Sequence, residues 1–126
     1  RVAELARDYA APGIGFVAVG SNDPVRFPEE SAERARARLE QLGFSFPYVM
    51  DEGGALARAF GVRNTPQVFF FSAEGTLLYE GAIDDSPAAE ARVTRPYLRQ
   101  AMDQHLAGLP VEVRQTQAFG CTVRLP

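Results

Sequence analysis

The fold of this chain is decided by the stretch from Asn64 to Phe71, which reads NTPQVFFF. Its four apolar residues, 68–71, lie between a proline and an Ala-Glu-Gly turn, a pattern typical of a buried strand. The glycine of that turn, Gly75, predicts that the next apolar run folds back as the second strand of a hairpin. Pro66 is expected at the first position of the strand, where its missing N–H disturbs the hydrogen bonding least.

The peptide bond between Thr65 and Pro66 has two interpretations. A cis bond at this strand entry would turn the backbone groups of Thr65 outward, where they could bind an extended peptide. In the other interpretation, Pro66 only begins the strand. We predict the cis form.

Composition and charge exclude several classes of function. The 126 residues fit one domain, and the formal net charge is −3. The basic residues are all arginine and alternate with acids, so they form no stripe of the kind that binds nucleic acid. No apolar run has the length of a membrane span, and no membrane association is expected. The single cysteine, Cys121, excludes an internal disulfide.

The remaining patterns predict alternating helices and strands. Helical periodicity covers residues 2–9, 31–42, 55–62 and 94–108, and the third of these is a short helix with a glycine at its end. Residues 14–19 have the pattern of a buried strand, and residues 46–51 that of a short strand. Ser31 and Thr94 are predicted to cap the second and the last helix. The inner face of the last helix is predicted to contain Leu98, Ala101, Met102, His105 and Leu106. This order predicts an α/β domain with a mixed sheet at residues 1–109, with residues 110–126 as a tail that packs on it.

Five segments of the sequence carry a resemblance to a known family. They are VGSNDP at residues 19–24, FPYVMDE at 46–52, TPQVFFF at 65–71, YEGAIDDS at 79–86 and AFGCTVR at 118–124. Together they resemble bacterial thioredoxin-like proteins that are related to the peroxiredoxins and to TlpA-type thiol-disulfide oxidoreductases. The resemblance covers nearly the whole chain and implies a thioredoxin-like mixed sheet flanked by helices.

The sequence departs from this family at its start. Family members have an N-terminal region with a Cys-x-x-Cys-type motif, and this chain has none. The resemblance therefore implies a fragment that starts at Arg1 inside the helix after the motif, with the redox dithiol upstream. Disulfide exchange needs a nucleophilic thiolate and a second thiol that resolves the mixed disulfide. The chain alone is expected to lack dithiol oxidoreductase activity.

The resemblance implies a function for the parent protein and roles for individual residues. The parent would be a thiol-disulfide oxidoreductase or a peroxiredoxin-like antioxidant protein that acts on a protein disulfide or a peroxide. Asn64, Thr65 and Pro66 would hold the substrate. The alternative is a redox-inactive module that keeps the peptide-binding groove without the dithiol. No cofactor is expected, and the expected compartment is the cytoplasm, with the periplasm as the alternative.

Three further features each have a functional and a structural interpretation. Cys121 is either a resolving or sensing thiol or a small buried apolar residue. His105 is interpreted as a partly buried helix residue. A group of oxygen-bearing residues near strand ends is either a hard-cation site or a set of loop caps, and we favour loop caps and no metal site. These residues are Asn22, Asp23, Asp51, Glu52, Asp84 and Asp85.

The resemblance also has a consequence for assembly. In thioredoxin-like folds, the strand with the cysteine motif lies between the strands that match residues 14–19 and 67–71. Without it, each of these strands has an unpaired edge, which can be closed by direct pairing, by a strand of another chain, or not at all. We expect a homo-oligomer that associates through the exposed sheet edges.

Overall fold

Helices and strands alternate along the protein in the computed structural model, which describes residues 2–20, 32–41, 46–86, 93–118 and 121–122. The helices of this part are α1 (Val2–Ala10), α2 (Ala32–Gln41), α3 (Ala55–Phe60) and α4 (Tyr97–Leu106), and a 3-10 turn at Glu52–Gly54 precedes α3. The strands are β1 (Ala18–Gly20), β2 (Tyr48–Met50), β3 (Asn64–Thr65), β4 (Val68–Phe71), β5 (Leu77–Gly81) and β6 (Cys121–Thr122). The described residues form two compact units, one up to Arg63 and one from Asn64 to Thr122.

The sheet of the first unit is a short parallel pair. β1 pairs with β2 in a register that joins Ala18 to Tyr48 and Gly20 to Met50. The predicted strands at 14–19 and 46–51 are therefore longer than the observed ones, because a strand exists only where a neighbour accepts and donates its hydrogen bonds. The prediction that residues 14–19 are buried is wrong for Val17 and Val19, whose exposed fractions are 58% and 45%.

Both predicted N-terminal helices are present in the first unit. α1 buries one face, which consists of Ala3, Leu5, Ala6 and Tyr9. α2 has the predicted outward charges, and each of those side chains is exposed: Glu33, Arg34, Arg36, Arg38 and Glu40. The predicted cap Ser31 and the predicted inner residue Leu42 lie outside the described residues.

The start and the end of α3 are determined by three residues. Gly54 occupies the N-cap position and has no side chain, so the cap comes from Asp51, which lies three residues earlier. The buried Asp51 carboxylate accepts hydrogen bonds from the backbone N–H groups of Leu56 and Ala57, both at 3.0 Å. Gly61 ends the helix in the left-handed conformation at φ 69°. The predicted short helix with a terminal glycine is confirmed.

The second unit contains the predicted hairpin. β4 pairs antiparallel with β5, with Val68 opposite Gly81 and Phe70 opposite Tyr79, and Gly75 takes a positive φ of 86° in the turn. The register shifts between Phe70 and Phe71, so that Phe71 lies opposite Leu77. Tyr79 is fully buried and Phe70 nearly so, whereas Phe71 is 43% exposed. The predicted burial of residues 68–71 is therefore wrong for Phe71.

Pro66 lies in a bend between β3 and β4, and the prediction that it begins a strand is wrong. Strand pairing stops after Thr65 and resumes at Val68. Pro66 has no N–H to give to a neighbouring strand, and its ring fixes φ, so an interruption of the pairing at this position has a local physical cause. The cis state of the Thr65–Pro66 bond stays a prediction.

The last helix, α4, packs against the hairpin in the second unit. Leu98, Ala101 and Met102 are buried as predicted, but Leu106 is 43% exposed and does not belong to the inner face. The predicted cap at Thr94 is also wrong. The N-cap position is Pro96, and the Thr94 hydroxyl instead donates a hydrogen bond to the Asp85 carboxylate. Thr94 is thus used to close a loop two residues before the cap.

Candidate functional site

The predicted substrate-binding residues and Cys121 meet in the smallest sheet of the second unit. β3 and β6 pair antiparallel, with Asn64 opposite Thr122 and Thr65 opposite Cys121. Pro66, the next residue, is exposed. The side chains of Thr65 and Cys121 lie outside the described part of the structure. The backbone register nevertheless brings Asn64, Thr65 and Cys121 into one short ladder, with Pro66 directly after it.

A side-chain hydrogen bond extends this ladder. The Asn64 side-chain amide donates to the backbone oxygen of Ala118, at 3.4 Å, and Ala118 is buried. This contact lies three residues before β6. Asn64 therefore contacts the C-terminal segment through its side chain as well as through its strand pairing.

The C-terminal segment is held at a second place, the outer edge of β5. Glu80 and Gln115 form a parallel bridge. The Glu80 N–H donates to the Arg114 oxygen and the Thr116 N–H donates to the Glu80 oxygen, both at 3.0 Å. Residues 114–116 thus lie along β5 and pair with it at one position.

The Thr116 hydroxyl both donates and accepts a hydrogen bond at the edge of β5. The Tyr79 hydroxyl donates its one proton to the Ala82 oxygen at 2.5 Å, so the 2.6 Å contact between Tyr79 and Thr116 is donated by Thr116. Thr116 Oγ1 also accepts from the Ala82 N–H at 2.9 Å. The polar atoms around the buried Tyr79 ring are therefore mutually satisfied.

Burial raises the pKa of Tyr79 above its ordinary value, and the hydrogen bond from Thr116 opposes this rise. The phenol is therefore neutral at physiological pH and keeps the proton that it donates to Ala82. A neutral phenol under the C-terminal segment favours a structural role for Tyr79.

Gly81 shows how closely the segment approaches β5. Its φ is +138°, and a Cβ added there would collide with the backbone oxygen and the hydroxyl of Thr116. Only glycine satisfies both the conformation and the available space. Gly81, Thr116 and Tyr79 were not predicted as site residues. A glycine at the end of a predicted strand was the one sequence signal for a close backbone approach.

The described members of the predicted acidic group act as loop caps, which was the favoured interpretation. Asp51 caps α3, Asp84 accepts from the Ser86 N–H at 2.9 Å, and Asp85 accepts from the Thr94 N–H at 2.9 Å. Among the residues that the structure describes, no group of three or more His, Cys, Asp or Glu side chains could hold a metal ion. Asn22 and Asp23 lie outside the described residues, as does the side chain of Glu52.

His105 is half-buried on α4, as predicted. Its ring packs edge-on against Phe70, with ring centroids 5.7 Å apart and an interplanar angle of 83°. No helix within the described ranges combines the length and the apolar character that a bilayer crossing requires.

The mixed α/β fold, with a short helix, the Pro66 bend and a hairpin followed by a helix, defines a thioredoxin-like protein. Two solved structures share it at a TM-score of 0.90. One is a hypothetical protein of Sinorhizobium meliloti at 38% identity, which covers 99% of this chain and 69% of its own length. The other is an uncharacterized conserved protein of Geobacillus kaustophilus at 37% identity, which covers 98% of this chain and 66% of its own.

The chain belongs to the Redoxin family, whose sequence model matches residues 1–95. The thioredoxin-like resemblance read from the sequence is thereby confirmed, and a redox-related function follows from it. No curated protein matches the chain. The family match ends before α4 and before the segment that carries Thr116 and β6.

Proposed function

We propose that this chain is the substrate-side part of a thioredoxin-like thiol-disulfide oxidoreductase or peroxiredoxin-like antioxidant protein. The observation that carries the proposal is the register of β3 with β6, in which Thr65 lies opposite Cys121. Cys121 is the one thiol of the sequence, and it is paired with the residue that precedes Pro66. Membership of the Redoxin family supports thiol chemistry at this point.

In this proposal Asn64, Thr65 and Pro66 hold the substrate, which is a protein disulfide or a peroxide. Cys121 acts as a resolving or sensing thiol. As a resolving thiol, its thiolate attacks the sulfur of a mixed disulfide on a second cysteine, forms a new disulfide and releases the substrate thiolate. After reaction with a peroxide, it attacks the sulfenic acid of that cysteine and releases hydroxide.

The second cysteine of this scheme belongs to a segment encoded upstream of Arg1. The chain spans 69% and 66% of the two structural relatives, so each relative has further residues that this chain does not cover. The reading frame before Arg1 tests this part of the proposal. A Cys-x-x-Cys motif there supports the oxidoreductase, and its absence supports a redox-inactive binding module, which the single thiol of this sequence also favours.

The thiol chemistry of the chain itself is tested by stoichiometry. One thiol can exchange once with a disulfide but cannot complete a dithiol cycle. We expect the chain to release at most one equivalent of thiolate from an aromatic disulfide reagent and to show no turnover in insulin reduction with dithiothreitol. Cys121→Ser is the control and should release none. Insulin turnover above this control would contradict the assignment of the dithiol to an upstream segment.

We call Asn64, Thr65 and Pro66 the substrate loop. Its role is tested separately by the rate at which Cys121 reacts with glutathione disulfide. Pro66→Ala should change the rate, because it alters the backbone beside Thr65, which pairs with Cys121. Pro12→Ala, which changes an exposed proline of the first unit, is the control. Equal rates in the unmodified chain, Pro66→Ala and Pro12→Ala would show that the backbone at Thr65 and Pro66 does not affect the reactivity of Cys121.

Three further proposals concern organisation. Residues 1–109 form the thioredoxin-like domain and residues 110–126 its tail, supported by the hydrogen bonds between Glu80 and residues 114–116. The chain forms a homo-oligomer through exposed sheet edges, supported by the exposure of Val17 and Val19 at β1. It acts in the cytoplasm, since a sequence without an internal disulfide suits a reducing compartment, and cell fractionation against the periplasm tests this.

A further inference from the structure

The C-terminal segment contacts the second unit at two separate places. We use the name tail strap for residues 114–118 together with β6. One end of the tail strap pairs with β5 through Gln115, and the other end pairs with β3 through Cys121 and Thr122. The tail strap lies beyond the residues 1–95 that the family model matches. The family match therefore says nothing about the tail strap, and its effect on Asn64 and Thr65 follows from the contacts of this chain.

The two ends of the tail strap are held very differently. At β5, Thr116 makes one backbone and two side-chain hydrogen bonds, and Gly81 leaves it no room to shift toward the strand. At β3, the pairing has only two residue pairs, supported by the 3.4 Å contact from Asn64 to Ala118. An isolated two-residue ladder is weak, because few hydrogen bonds offset the entropy of ordering the chain. The β5 end is thus an anchor and the β6 end is releasable.

The releasable end occupies the backbone positions that the proposed function needs. A peptide that binds a strand edge uses the same backbone N–H and C=O groups as a strand of the protein itself. In the described part of the chain, the strand partner of Asn64 and Thr65 is β6. A peptide and β6 cannot pair with the same edge at once.

We propose that the tail strap competes with extended peptide substrates for the backbone of Asn64 and Thr65, with Thr116 as the positioning residue that keeps β6 in place. This inference rests on the proposed function, because it assumes a substrate at Thr65 and Pro66. With the strap closed, the site takes substrates that need no strand pairing, such as peroxides and small disulfides. An extended polypeptide binds only when β6 is released.

The test uses a peptide of known sequence as the competitor. The probe is a fluorescein-labelled copy of residues 117–126 with serine in place of cysteine, and its binding is measured by fluorescence anisotropy on the full chain. Thr116→Val removes the anchoring hydroxyl with little change in shape. Thr122→Pro removes a backbone N–H from β6 itself and leaves the Tyr79 contacts intact, so it is informative even if Thr116→Val folds poorly.

The matched control is Thr76→Val, the same exchange of a hydroxyl for a methyl group at an exposed turn position in the second unit. Amide hydrogen exchange at Asn64 and Thr65, followed in each protein, reports whether β6 has been released, because one of two successive residues in an antiparallel pair directs its N–H to the partner strand. Thr116→Ser keeps the hydroxyl and should therefore keep β6 paired with β3.

The inference predicts that Thr116→Val and Thr122→Pro bind the probe about tenfold more tightly than the unmodified chain, the equivalent of roughly one lost hydrogen bond. Thr76→Val and Thr116→Ser should bind like the unmodified chain. If all the proteins bound the probe with equal affinity, competition by the tail strap would be ruled out, while Asn64 and Thr65 would remain a peptide-binding site. Release of β6 in hydrogen exchange without any probe binding would overturn both the strap and the proposed peptide site. Unchanged protection of Asn64 and Thr65 in Thr116→Val would show that Thr116 is not the anchor.

Discussion

Asp85 closes a surface loop through a carboxylate whose two oxygens each accept a hydrogen bond from Thr94. It accepts from the Thr94 hydroxyl and from the Thr94 N–H, and its own N–H donates to the Arg95 oxygen at 3.2 Å. The hydrogen bond from the Thr94 side chain, followed by one from the Arg95 backbone to the carboxylate, lowers the pKa of Asp85 from its usual 3.8 to about 2. The folded protein therefore favours the ionised carboxylate.

This shift predicts a pH dependence of stability with a defined sign. Because the folded pKa is lower than the unfolded one, the contribution of Asp85 is complete above pH 3.8 and is lost as the pH falls to about 2. The free energy of unfolding of Asp85→Asn should therefore be lower than that of the unmodified protein at pH 5, and the two should converge towards pH 2. Urea titrations at several pH values measure this.

Thr94→Val tests the cause of the pKa shift, because it removes the hydrogen bond from the Thr94 hydroxyl and keeps the Asp85 carboxylate. It should raise the pKa of Asp85 and reduce the pH dependence. A difference between Asp85→Asn and the unmodified protein that persists unchanged to pH 2 would show that the carboxylate does not gain stability by ionisation.

At the scale of elements, β5 and the tail strap form a close backbone contact at Gly81. Gly81→Ala should destabilise the protein by about 1–3 kcal/mol, because it adds a collision with Thr116 to the strain of a positive φ. The measurement is urea unfolding, combined with hydrogen exchange at the Thr116 amide.

Gly75→Ala is the matched control for this prediction. Gly75 also has a positive φ, of 86°, but a Cβ there would meet nothing within 4 Å. It should cost only the conformational part, on the order of 1 kcal/mol, and leave Thr116 protected. If both variants lost the same stability and Thr116 kept its protection in both, the close approach at Gly81 would be without energetic importance.

Elements with a strong local signal could be predicted from the sequence, and elements made by distant pairing could not. The β4–β5 hairpin follows from an apolar run and Gly75, and α3 follows from its periodicity and Gly61. β3 has two residues and no periodicity of its own, and its partner Cys121 is far along the chain. No local pattern could have shown that Thr65 and Cys121 are neighbours.

The errors in the predicted helix cap and strand start each have a physical cause. Thr94 has the residue type of a helix cap, but Asp85 takes its hydroxyl and Pro96 occupies the cap position. Pro66 was expected to begin a strand, but the pairing of β3 before it places it in a bend. At Thr94 a partner nine residues away decided between two locally acceptable structures, and at Pro66 the missing N–H and the fixed φ of proline account for the interruption.

At the scale of the whole molecule, the described strands form three separate two-stranded sheets. β1 pairs with β2 within the first unit, and β4 pairs with β5 within the second unit. Parallel strands are normally covered on both faces, whereas Val17, Val19 and Val49 are each more than two fifths exposed. This is the surface expected of a sheet that needs a further partner.

We predict that the purified chain self-associates at micromolar concentration and that Val17→Lys shifts it toward the monomer, because a lysine beside a strand edge opposes pairing with another chain. Light scattering measures the effect. Leu109→Lys is the matched control, since Leu109 is 59% exposed and Val17 is 58% exposed, but Val17 directly precedes β1 whereas Leu109 adjoins no strand of the described residues. A stable monomer of the unmodified chain would contradict association through the sheet edges.

The pairing of Thr65 with Cys121 also has a consequence for biosynthesis. The ribosome adds the residues from 66 to 121 after Thr65, and at about 5–20 residues per second this takes several seconds. Throughout that interval the nascent chain holds Asn64 and Thr65 without the strand that pairs with them in the finished protein. The backbone of Asn64 and Thr65 is therefore without this partner during that part of translation, and the protein's own sequence supplies it only when synthesis has passed residue 122.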